Sequence, residues 1–91
     1  MKEKELMELY SALVKISSVE ECKDFLDDLL SKKELESISG RVHCAKLFLD
    51  GKTYQEVTKE TTVSSATLAR VSKCVKNGKG YAKVLLKDKN K

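Results

Sequence analysis

Apolar residues in the first half of the chain return at steps of three and four, the spacing that lines one side of an α-helix. Leu6, Leu9, Leu13 and Ile16 form such a stripe, widened by Tyr10 and Val14, and predict a first helix over Lys2–Ile16. A stripe that broad needs cover from another surface. Ser18 opens a second helix with Glu21 placed to complete a capping box; Cys22, Phe25, Leu26 and Leu29 are expected to form its buried side, while Asp24, Asp27 and Asp28 face water. Ser31 and Glu34 repeat the start signal and launch the longest helix, which stops near Asp50-Gly51. Leu35, Ile38, Val42, Ala45 and Leu49 give that helix a seam for packing along its length, and Leu47 and Phe48 add a second apolar side. Gly40 in its interior costs ~1 kcal/mol relative to Ala, and marks either a close helix crossing or a tolerated weak point.

The stretch Thr53–Asn77 reads as two short helices joined by a tight turn. Thr53 and Glu56 make another capping box, and Ser64 caps the second helix. Val57, Thr61, Val63, Leu68 and Val71 fall at the inward positions that close a helix, a turn and a helix on one apolar seam. Thr61 stands where an apolar residue is usual, and Thr62 where such turns commonly use Gly to reach positive φ. Asn77-Gly78 is the stop, since both residues tolerate a left-handed helix end. A last short helix over Tyr81–Lys87, within an element bounded at 80–88, has Tyr81, Val84, Leu85 and Leu86 on its apolar side; Lys87 to Lys91 form a basic tail. With no proline and four glycines among 91 residues, the fold class is all-α.

Charge changes the picture. Residues 1–40 carry ten acids and six lysines, net −4, whereas residues 41–91 carry four acids and twelve Lys/Arg, net +8. The basic half contains the helix-turn-helix, and a positive field beside such a motif is the footprint of a phosphate binder, although a solvated lysine-rich surface gives the same count. The outward face of the second helix, with Ala66, Thr67, Ala69 and Arg70, is small, polar and cationic, as a recognition helix requires. An antiparallel hairpin in any helical bundle needs the same caps and seam.

Other chemistry is thin. Cys22, Cys44 and Cys74 are an odd number at wide spacing without a CxxC, so neither a zinc site nor a disulfide framework is expected, and free thiols packed as small hydrophobes are. His43 stands alone, without ligand spacing to a cysteine or carboxylate, and is expected on a helix surface or interface. No Ser/His/Asp set, Gly-rich phosphate loop or paired carboxylates occurs at usable spacing, so no enzyme activity, metal or cofactor is expected. No apolar run approaches the ~20 residues that span a bilayer and no signal-peptide core opens the chain, which predicts a soluble cytoplasmic protein without membrane contact. One domain of this size is marginally stable on its own core, leaving oligomerisation as the supplement.

The segment LLSKKELESISGRVHCAKLFLDGKTYQEV followed by SSATLARVSK resembles the tryptophan repressor superfamily, most of all its YerC/YecD branch, over roughly residues 26–86. The pieces that carry the likeness are Ser31, Glu34 and Leu35, then Gly40-Arg41-Val42, the Asp50-Gly51 stop, and Ala66, Thr67 and Arg70. The resemblance implies an intertwined helical homodimer, with residues 1–50 as dimerisation helices and two helix-turn-helix heads over residues 53–77. In the tryptophan-binding members two arginines sandwich the indole, and Arg41 and Arg70 stand at those places. The residue after the second arginine is a glycine there and Val71 here, so the fold and DNA binding carry over and tryptophan does not. A phosphate contact from Arg70 and an ion pair from Arg41 to Glu34 or Glu36 is the plainer expectation for that pair.

Two functions follow as expectations. The first is a sequence-specific transcriptional regulator that binds double-stranded DNA as a homodimer, with Ser64, Ser65, Ala66, Thr67 and Arg70 near bases or phosphates and Gln55, Lys59, Lys73 and Lys76 reinforcing phosphate contact. Hydroxyls and Ala suit thymine methyls and phosphates but lack the bidentate discrimination of Arg, Asn or Gln, so the operator is not legible. The second is a dimeric protein-interaction module whose helix-turn-helix is only a packing unit, favoured by Thr61-Thr62 and the acidic first half.

Overall fold

A computed structural model describes residues 2–87. Among them every regular element is helical: α1 Glu3–Val14, α2 Val19–Leu29, α3 Lys32–Leu49, α4 Tyr54–Glu60, α5 Ser65–Asn77 and α6 Gly80–Leu85. No helix among the described residues is long and apolar enough to cross a membrane. The chain divides into two compact units, residues 1–35 and 36–91.

In the first unit, α1 begins with Glu3 and Glu5 in its opening turn, where carboxylates favour the positive end of the helix dipole. It ends short of the expected Ile16 because Lys15 N–H and Ile16 N–H donate to Ala12 O and Leu13 O, three residues back, and the last turn tightens. Ser18 Oγ accepts from Glu21 N–H at 3.0 Å as expected, yet the Glu21 carboxylate accepts from Ser17 N–H at 2.9 Å rather than from Ser18. Ser31 and Glu34 form the full reciprocal pair. The expected buried side of α2 is not buried. Cys22, Phe25 and Leu26 are half-covered, Leu29 is exposed, and neither α1 nor α2 buries a single residue. Asp24, Asp27 and Asp28 face water, as read; Lys23 pairs with Asp27 at 3.1 Å, an exposed contact of little weight.

The second unit holds the core: Cys44, Ala45, Leu47, Val57, Leu68 and Val71, with Phe48, Val63, Val75, Tyr81 and Leu85 packed around it. On α3 the buried residues are Cys44, Ala45 and Leu47, while Ile38 and Val42 stay exposed, so only the C-terminal part of the expected seam is covered. Gly40 does permit a close approach: a Cβ there would meet Val63 Cγ1 at 3.1 Å. Helix α3 closes on Gly51, at φ 96°, with Gly51 N–H donating to Phe48 O and Lys52 N–H to Leu47 O. That is a Schellman end.

The other stop works differently from the sequence expectation. Gly78 lies at φ −88°, ψ −174°, and Asn77 is helical; neither is left-handed. Glycine is required there for space, since a Cβ would lie 2.6 Å from Cys74 O. The turn between α4 and α5 likewise uses no positive φ, for Thr61 and Ser64 are extended and Thr62 is not left-handed. Extended backbone suits β-branched threonine. Helix α6 leaves Val84 and Leu86 exposed and seats Tyr81 and Leu85 on the core. The basic tail beyond Lys87 lies outside the described residues.

Candidate nucleic-acid interface

Helix α4 is fixed by its start. Thr53 Oγ1 accepts from Glu56 N–H at 3.1 Å and the Glu56 carboxylate accepts from Thr53 N–H at 2.8 Å, the capping box expected from sequence. That backbone bond is the chief cause holding the Glu56 carboxyl below its ordinary pKa. At the other end Glu60 takes a 3.1 Å contact from Lys52, whose pKa the bond and then the carboxylate charge raise. Between these ends Val57 is fully buried, while Gln55 and Lys59 are exposed on the outer side.

Helix α5 starts on Ser64, whose Oγ accepts from Thr67 N–H at 3.1 Å and donates to Thr67 Oγ1 at 3.0 Å. Both functions of the Ser64 hydroxyl are therefore used in capping, and Thr67 keeps a hydrogen to give. Leu68 and Val71 are sunk in the core, which turns Ser65, Ala66, Ala69, Arg70 and Lys73 outward, with Thr67 half-covered at the edge. The helix carries Arg70, Lys73 and Lys76 and no acid. None of these cations is paired among the described residues, whose ion pairs are Lys23–Asp27 and Lys52–Glu60. The expected ion pair of Arg41 with Glu34 or Glu36 is not formed. Arg41 is exposed and instead shares a cavity of about 220 Å³ with Ala66, Thr67, Arg70, Val71 and Tyr81.

The long helix, α5 and α6 together thus bring the two arginines to one place. Tyr81 is the member of that group which sequence reasoning missed, because only the packing of α6 on the core sets it beside residues forty positions earlier. His43 is exposed on α3, and Cys22, Cys44 and Cys74 are free thiols.

The family model for Trp repressor proteins matches residues 4–90. The chain belongs to the Trp repressor family. The family is one of Trp-repressor-like regulators, and the match reaches well before residue 26, where the sequence likeness was first legible. The chain is 36% identical over 75 residues to an uncharacterised protein, YerC, of Bacillus subtilis strain 168, covering 82% of this chain and 72% of that one. The crystal structure of a candidate Trp repressor from Staphylococcus aureus superposes with a TM-score of 0.83 at 34% identity, covering 92% of this chain and 85% of that one. A TrpR-like protein from Eubacterium eligens ATCC 27750 gives 0.82 at 29% identity, over 93% and 89%. The all-helical, Trp-repressor-like fold of this family member follows from both.

Proposed function

We propose that this chain is a sequence-specific DNA-binding transcriptional regulator that works as a homodimer and does not use tryptophan as corepressor. The outward face of α5 carries the reading. A short, uncharged, hydroxyl-bearing helix start followed by unpaired cations, anchored from behind by Leu68 and Val71, is suited to a major groove and its phosphates. Ser65, Ala66 and Thr67 are the residues for base edges, and Arg70, Lys73, Lys59 and Gln55 for phosphates, with Ser64 holding the helix start. Lys76 lies about 15 Å further along the helix from Ala66 and is the most remote of the set.

The homodimer is supported by the first unit, where Met7, Tyr10, Leu13, Val14 and Val19 are exposed and neither helix has a buried residue. Apolar surface of that extent marks an interaction site, and a second copy is the partner the family likeness implies. Exclusion of tryptophan rests on Val71, whose side chain lines the cavity between Arg41 and Arg70. At about 220 Å³ that space falls below the ~300–1,000 Å³ usual for small-molecule pockets.

Fluorescence anisotropy with duplexes selected from a random library tests the reading. Log affinity should fall linearly with log salt, by about 0.9 per phosphate neutralised, and Arg70→Ala should weaken binding and flatten that slope by about one phosphate. Replacing Ala66 or Thr67 should shift the preferred sequence, Asp27→Ala should do neither, and added tryptophan should leave affinity unchanged. Absence of saturable binding at low salt, or an Arg70→Ala variant with unaltered affinity and slope, would favour the protein-interaction module instead.

A further inference from the structure

At about 100° per residue, Ala66 lies nearly opposite Leu68 and Val75 round the axis of α5, so its side chain points straight away from the core. Ala69 stands three residues on, exposed on the adjacent turn, and the two methyls form one small apolar patch at the entry end of the helix. Arg70 and Lys73 continue the outward side beyond it.

The polar groups around that patch are engaged or turned aside. Ser64 Oγ accepts from Thr67 N–H at 3.1 Å and donates to Thr67 Oγ1 at 3.0 Å, so it stays with the helix start. Thr67 lies about 100° from Ala66, toward Val71, half-covered at the edge of the Arg41 cavity. Ser65 lies about 100° the other way, toward Ser72 and Lys76, which with Phe48 and Tyr54 line a second cavity of about 270 Å³ between α3, α4 and α5. The first turn of α5 holds no Arg, Lys, Asn or Gln, the side chains that read guanine or adenine by paired hydrogen bonds.

We infer that the middle of this face reads a methyl group on pyrimidine C5: the binding site sets thymine against Ala66 and accepts 5-methylcytosine there in its place. The inference rests on the DNA-binding reading above and names the base chemistry of that face. In the major groove every base pair presents hydrogen-bond donors or acceptors, and thymine alone of the four common bases adds a methyl. A side chain that is only a methyl answers no donor or acceptor, and any that it covers is left unpaired. Against another methyl it leaves nothing unpaired and removes apolar surface from water. 5-Methylcytosine carries the same group on the same carbon and differs from thymine at position 4, where an amino donor replaces a carbonyl acceptor, a difference that Ala66 has no means of reading. The small side chain also lets the helix approach the base edges, where a longer one would hold it off.

Fluorescence anisotropy with the full-length protein tests this on the duplex preferred in a random-library selection, each thymine being replaced in turn by deoxyuridine, which keeps the base pair and drops the methyl. At one position the replacement should weaken binding about threefold to fivefold, the worth of one buried methyl, and 5-methylcytosine paired with guanine there should bind more tightly than cytosine by a similar factor. Ala66→Gly should bring both ratios to about one, whereas Arg70→Ala, which weakens all duplexes alike, should leave them unchanged. Each ratio is taken within one protein, so a general loss of affinity in a variant cancels, and the ratios of the unaltered protein stand whether or not Ala66→Gly folds. A preferred duplex without thymine, a ratio of about one at every thymine, 5-methylcytosine no better than cytosine, or ratios unchanged in Ala66→Gly would each overturn the inference and leave DNA binding in place. No saturable binding to any duplex would instead overturn the DNA-binding reading, and this one with it.

Discussion

Helix α4 should depend on one side chain. It has seven residues, far below the ~12–15 at which an isolated helix becomes marginal, so tertiary anchoring has to hold it. Val57 is its one buried residue and is completely covered. Val57→Ala removes two carbons, worth about 1.6 kcal/mol at ~0.8 kcal/mol each by transfer, and incomplete collapse of the space brings the total to about 2–3 kcal/mol. Urea unfolding followed by circular dichroism, at fixed protomer concentration because an assembly's stability depends on it, reads that loss. With a urea slope of ~1–3 kcal/mol per M, the midpoint should fall by about 0.7–3 M at unchanged slope. Lys59→Ala, on the exposed side of the same helix, should stay within about 0.5 kcal/mol. A Val57→Ala loss no larger than that of Lys59→Ala would show that α4 is not docked through Val57, and the rigid presentation of α5 beside it would lose its basis.

Gly78→Ala should destabilise by about 1–2 kcal/mol through a Cβ pressed on Cys74 O and a strained Gly78–Cys74 bond, whereas Gly80→Ala, which meets nothing within 4 Å, should be neutral or stabilising; thermal unfolding of the two separates them. Because the Glu56 carboxyl sits below its ordinary value of 4.5, its contribution to α4 is present above that pH and lost as pH falls through the lower folded value. Glu56→Gln should therefore lose less stability than the parent between about pH 6 and about pH 3, by urea midpoints, and equal acid slopes would contradict this. Sedimentation equilibrium at micromolar concentration should find a dimer that Leu13→Glu dissociates, and a folded monomer throughout would remove the two-headed architecture.

The helix starts were legible because caps are local. Ser18, Thr53 and Ser64 each stand three residues before the N–H they satisfy, and all three cap as read. Gly78 and Thr62 were misjudged because their environment is set by the backbone around them: an extended turn made positive φ unnecessary, and the Cys74 carbonyl makes any side chain at 78 costly. The apolar stripes of α1 and α2 were read as buried, and among the described residues neither helix buries one: periodicity shows which side of a helix is apolar, not what covers it. At the site, the outward positions Ser65, Ala66 and Arg70 follow from the periodicity of α5. Phe48, Tyr54 and Ser72 do not, because a wall assembled from α3, α4 and α5 leaves no spacing rule in the sequence.

The register of α5 explains how one short helix serves two separate cavities and an open face. At about 100° per residue, Leu68, Val71 and Val75 fall within a narrow arc, and that arc is seated on the core. On one flank of it lie Ala66, Thr67 and Arg70, which with Val71 border the Arg41 cavity; on the other lie Ser72 and Lys76, which border the aromatic one. Ser65, Ala69 and Lys73, four residues apart, are exposed and fan from the Ser72 flank round to the side opposite the core. Each flank ends in a cation at its outer edge, Arg70 on one side and Lys76 on the other. A substitution on one flank, such as Ser72→Ala, therefore leaves the residues of the other in place, so a loss of DNA affinity in Arg70→Ala that Ser72→Ala does not share would assign the contact to the Arg70 flank.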